Sequence, residues 1–175
     1  MVFNYYHRLS QRQKQIYRQS DRVELVKLPD PSAIQTLVVP LSSTLDANDR
    51  IGIQRLSSRI LNGITQQLKM PQVKVTVLAT RPSNDWGELH GLYEPLEGRK
   101  RAHITVWMRT AKRRKVVAFR TFLRTLLHEL CHHLDYEYYG LHDSFHTEGF
   151  YKRESNLFYT LVERESKPEQ KQLDL

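Results

Sequence analysis

The stretch VVAFRTFLRTLLHELCHHLDYEYYG, residues 116–140, restricts this chain more than any other. Its apolar residues recur at helical spacing and Gly140 supplies a stop, so a long helix is expected from about Val116 to Tyr139. At about 100° per residue, His132 lies roughly 40° round from His128 and about one turn along, so both imidazoles leave the same side. Phe119, Phe122, Leu123, Leu126, Leu130 and His133 fall on the opposite side. Such a helix buries one face and turns its histidines toward an opening, as the floor of a cleft does. Two histidines at this spacing can grip one tetrahedral zinc, and Glu129 beside them can reach the water that a zinc centre activates. Metal ligation of Zn2+ is therefore expected of His128 and His132, and general-base chemistry of Glu129.

A catalytic zinc takes a third protein ligand and keeps one position open. His142 follows His132 after nine intervening residues, His146 after thirteen and Glu154 after twenty-one. A helix ending near Gly140 needs several residues before the chain can return to the metal, which disfavours His142. The order of preference is His146, then Glu154, then His142. The short HExxHxxGxxH arrangement is excluded, because Asp135 and Tyr138 stand where glycine and histidine are required.

The remaining segments predict an α+β fold, a small mixed sheet packed on helices. Apolar residues from Ile51 to Leu68 recur at helical spacing. They predict a helix from about Leu45 to Met70, with Pro40 closing what precedes it and Ser42, Ser43 and Thr44 offering caps. VKVTVLAT (Val73 to Thr80) and HITVWMRT (His103 to Thr110) alternate as strands do, and the second places Ile104, Val106 and Met108 on one face. Between them lies a turn-rich stretch, expected as a long loop around a short strand. A last helix is expected from Thr147 through Leu161. Residues 1–40 are expected as a polar, basic N-terminal arm or accessory segment, 41–165 as the main domain and 166–175 as a polar tail.

The net charge is +8. Ten of the 27 Lys and Arg lie between Gly98 and His128, a stretch with no Asp or Glu, which leaves 17 basic against 19 acidic residues elsewhere. The basic stretch 99–124 would attract a polyanion, nucleic acid first among them. Arg120 and Arg124, two turns and one turn ahead of His128, would make the approach to the metal electropositive if exposed. A single cysteine excludes an internal disulfide framework. The first 22 residues lack the apolar segment of a secretory signal, and no apolar run approaches a membrane span, so a cytoplasmic protein is expected.

The segment HELCHHLDYEYYGLHDSFHTEGFYKRESNLF resembles the zinc-binding core of SprT-like metallopeptidases. The pattern of that family is matched by His128, Glu129, His132, His146 and Phe150, and HITVWMRT resembles its strand leading into the metal site. The likeness covers roughly residues 70–160. Thr147 stands where the family more often has glycine, and no cysteine-rich zinc ribbon follows. A weaker likeness links RESNLFYTL to the glutamate-bearing helix of gluzincin-type peptidases. The resemblance implies a zincin-like fold and a zinc metalloprotease, possible action on DNA-associated proteins, and a protein or peptide substrate. The substrate is expected to add as a strand along His103 to Arg109. Tyr151 and Arg153 are the expected substrate-binding groups, as a phenol and a cation able to steady an oxyanion. Cys131 is expected in the core, and Asp135 or Asp143 behind a ligand histidine. The alternative is a nucleic-acid-binding module whose zinc is structural or inactive.

Overall fold

The computed structural model describes residues 2–84, 87–98 and 101–162. Arg99 and Lys100 of the basic stretch, and the tail 166–175, lie outside the described residues.

After a short 3-10 turn (Asn4–Arg8), helix α1 spans Gln11–Asp21. Ser10 starts it by a reciprocal cap: its hydroxyl accepts from the Gln13 N–H, and the Gln13 side chain accepts from the Ser10 N–H. Helix α2 is Ser32–Asp46 and α3 is Arg50–Gln67. This corrects the expected boundary, because Pro40 lies inside α2 and the break falls at 47–49. The reason is burial. Ile34, Val38, Leu41 and Leu45 form one stripe on α2, each 3% exposed or less. Sinking each contributes about 1.5–3 kcal/mol, together more than the roughly 3 kcal/mol an internal proline costs. Ser43 and Thr44 donate their hydroxyls to the Pro40 carbonyl, at 3.0 and 2.7 Å, and the cap of α3 is Asp49, which accepts from the Gly52 N–H.

Strand β1 is Lys74–Thr80; β2 (Ser83–Asn84) and β3 (Gly87–Glu88) form a small hairpin; β4 is Gly91–Glu94 and β5 is His103–Arg109. Helices α4 (Phe119–Glu137) and α5 (Glu148–Leu161) complete an α+β arrangement with five α-helices among the described residues. The three-stranded sheet has the order β1-β5-β4, with β1 parallel and β4 antiparallel to β5. Strand β5 is therefore central, and Ile104 through Met108 are all buried, not one face alone. That corrects the expected docking edge: β5 has neighbours on both sides and cannot accept another strand. The outer edge of β1 is closed by α3, where the Gln54 side chain accepts from Val77 N–H and donates to Val75 C=O, both at 2.6 Å. Strand β4 forms the other edge, and it runs along α4.

On α4, Phe122, Leu123, Leu126, Leu127, Leu130, Cys131 and Leu134 are buried, which puts Cys131 in the core as expected. Gly140 ends this region in the left-handed conformation (φ 63°), with Leu141 N–H bonded to Asp135 C=O. Thr147 caps α5 by accepting from the Phe150 N–H at 3.0 Å, a task glycine cannot perform. Tyr17 of α1 and Ile34 and Val38 of α2 are buried, so the first 40 residues pack on the rest. No helix among the described residues is long and apolar enough to cross a membrane.

Candidate metal centre

His128 and His132 project from α4 at the expected i, i+4 spacing, and the loop after α4 brings His146 against both. The Nε2 atoms of His128 and His146 are 2.9 Å apart, and those of His146 and His132 are 3.2 Å apart. The remaining ring nitrogens determine what these contacts are. His128 Nδ1–H donates to Glu154 Oε2 (3.1 Å), whose other oxygen accepts from Arg124 (3.0 Å). Behind His132, Nδ1 meets Ser144 Oγ at 2.7 Å, and that hydroxyl donates to Asp135 Oδ2, also at 2.7 Å. His132 Nδ1 must then carry the proton. Both Nε2 atoms on α4 are left as lone pairs aimed at the third imidazole. Burial, then the neighbouring His146 and His128, push His132 down to about 3, and burial lowers His146 as well. Three ring nitrogens converging on one point form a donor set able to hold a cation, so the cluster fits a metal ion.

Glu129 lies on the same helix, 7% exposed. Burial pushes its carboxyl up to about 7, against the opposing pull of His128. It is tucked under β4: a Cβ built on Gly91 would overlap the Glu129 carboxylate. Tyr93 holds β4 to α4 from the far side, its hydroxyl donating to His133 Nδ1 (3.1 Å) while His133 Nε2–H donates to Pro71 C=O (2.8 Å). A cleft of about 660 Å³ opens between β4 and α4 over these groups. Its walls include Gly91, Leu92, Tyr93, Thr125, His128, Glu129, His132 and His146.

The other expected residues divide. Glu154 takes its place behind His128 and not among the converging nitrogens, and His142 is exposed outside the cluster. Tyr151 stacks on the His146 ring (5.9 Å, 24°) and is 42% exposed, so it stands at the rim. Arg153 does not reach the cleft. It is fully buried, with its guanidinium on Asp135 (2.6 Å) and on the carbonyls of Ser20 and Val23. Asp135 is thus held behind His132, as expected, but through Ser144, a residue the sequence reading missed. Asp143 accepts from the Ser144 N–H. Gly91 was missed too. Its one signal is a glycine beginning a short strand, which marks close backbone approach. Arg124 pairs with Glu154 and lies over the Phe158 ring, whereas Arg120 is exposed and lies over the same ring. The exposed cations of the described basic stretch are Arg101, the run 112–115 and Arg120.

Comparison with protein-family models, curated proteins and solved structures finds no match for this chain.

Proposed function

We propose that this chain is a metal-dependent hydrolase of the zincin kind, with zinc at His128, His132 and His146. Within that class it is read as a SprT-like metalloprotease acting inside the cell on protein or peptide chains. The observation that carries the reading is Glu129. A structural zinc site has no use for a buried carboxylate with a raised proton affinity beside two ligands, in an open cleft. In such a site zinc supplies a Lewis acid, which polarises a carbonyl and makes water acidic near neutral pH.

Glu129 takes a proton from the attacking water and returns it to the leaving amine. Glu154 and the Ser144–Asp135 pair fix the rings of His128 and His132 with Nε2 deprotonated. A peptide can pair with the edge of β4, which would lay it across the cleft mouth above Glu129. Tyr151 is the remaining phenol of the expected substrate-binding pair. The exposed Lys112–Lys115 turn suits a nucleic-acid partner, and binding there would weaken steeply with salt.

The purified chain is expected to hold about one zinc, to lose casein cleavage on chelation and to regain it with zinc. Absence of bound zinc in the wild type would end this reading. Zinc without cleavage, with or without DNA, would favour a nucleic-acid-binding module with an inactive site. Gly91→Ala tests the packing of β4 on Glu129. It is expected to keep zinc while losing about a hundredfold in kcat/KM, since a shift of about 1 Å costs that much. Unchanged kcat/KM would show that Glu129 need not lie against β4.

A further inference from the structure

His146 is the one member of the triad carried off α4, on the loop before α5, and a ligand on a loop must be held by something else. Its backbone is held from the other end of the chain. The Tyr5 hydroxyl donates to the His146 carbonyl at 2.8 Å. The Tyr5 ring stacks on Phe145 (6.5 Å, 26°), and Tyr17 packs against both, at 6.0 and 6.2 Å. Phe3 lies 6.0 Å from Tyr151, whose ring stacks on His146 itself. Past the ligand the stitching continues. Asp21 Oδ1 accepts from the Gly149 N–H (3.0 Å), and Gly149 is so close to α1 that a Cβ there would overlap the Asp21 carbonyl. Lys152 pairs with Glu24 at 2.7 Å. Chain on both sides of His146 is therefore anchored to residues 3–24.

We infer that residues 3–24 are a positioning element of the metal centre, with the Tyr5 hydroxyl holding the backbone of the third ligand so that its imidazole meets the other two. The inference rests on reading the triad as a metal centre. An ordered ligand binds metal without the entropic cost of ordering a loop, and outer-shell partners typically govern 10–100-fold in affinity. Tyr5 touches no substrate and no metal; its effect passes through His146.

The test uses the full chain and two hydroxyl deletions, Tyr5→Phe and Tyr6→Phe. The first keeps the stacked ring and removes only the donor to His146. The second removes a hydroxyl in the same cluster that accepts from Arg18 (2.9 Å) and does not touch the ligand loop. Zinc affinity is measured by competition with a chromogenic chelator, and ligand geometry by the visible bands of the Co2+-loaded protein. Tyr5→Phe is expected to bind zinc about tenfold more weakly and to shift the cobalt bands. Its metal-free Tm should stay within about 2 °C of the wild type. Tyr6→Phe should match the wild type in affinity and spectrum. Wild-type affinity in Tyr5→Phe, or an equal loss in both variants, overturns the inference. A wild type that binds no zinc overturns the metal-centre reading itself, a different failure recognisable before any variant is made.

Discussion

Glu129→Gln is expected to bind zinc as tightly as the wild type and to cleave casein about a thousandfold or more slowly, within the range that a positioned general base supplies. The two side chains have nearly the same shape, so the amide fits the space under Gly91 and the helix keeps its packing. What disappears is the ability to take a proton. The loss should fall on kcat with KM little changed, because in the proposed mechanism the carboxylate works on the reacting water and not on the bound chain. Single-turnover cleavage beside a zinc assay reads both quantities. Cleavage at the wild-type rate would remove Glu129 from the mechanism. A loss of zinc together with activity would mean that it helps to hold the metal.

The largest effect on stability is expected from Arg153→Met. Asp135 and Arg153 are both fully buried and 2.6 Å apart, and removing the cation leaves a carboxylate without its partner. Breaking such a pair costs about 3–5 kcal/mol. At about 2–4 °C per kcal/mol for a chain of this size, Tm should fall by roughly 6–20 °C. The pH dependence follows from the carboxyl itself. Burial raises Asp135 to about 6, while Arg153 and Ser144 hold it down, so without the guanidinium it rises further. Above about pH 6 the wild-type carboxyl ionises on its partner while that of the variant stays protonated. The folded variant then retains a proton that its unfolded chain releases, and its deficit grows as pH is raised. Urea melts of both proteins from pH 5 to 8 measure this. A deficit independent of pH would show that packing, not the charge pair, carries the loss.

Residue order disclosed some of this and concealed the rest for definite reasons. The α4 helix was legible because its apolar stripe and both histidines lie within one continuous periodic segment, and β1 and β5 were legible from their alternation. Helix α2 was hidden by Pro40, which reads locally as a stop and is overridden by a buried stripe. That β5 is central and β4 an edge is a matter of strand order, which alternation within a strand does not encode. Arg153 looked like a site residue because it is near His146 in sequence. Its helical phase gave the better signal, since Phe150, Arg153, Leu157 and Leu161 share one face of α5 and all are buried. Ser144 is a lone serine in a loop, with no pattern to mark it. His146 was already the first choice on spacing, and the three-dimensional contacts bring it to the other two nitrogens while setting Glu154 behind His128.

The glycine that lets β4 settle on Glu129 bears on selectivity as well. A guest strand hydrogen-bonded to β4 would lie one strand spacing away, about 4.8 Å, wherever its own side chains point. On the protease reading, the backbone would act as a ruler, setting the depth of the bond to be cut by main-chain register alone. An enzyme gauged in this way would sort its clients by conformation: segments free to straighten would be admitted, and those locked in helix or sheet turned away whatever their sequence.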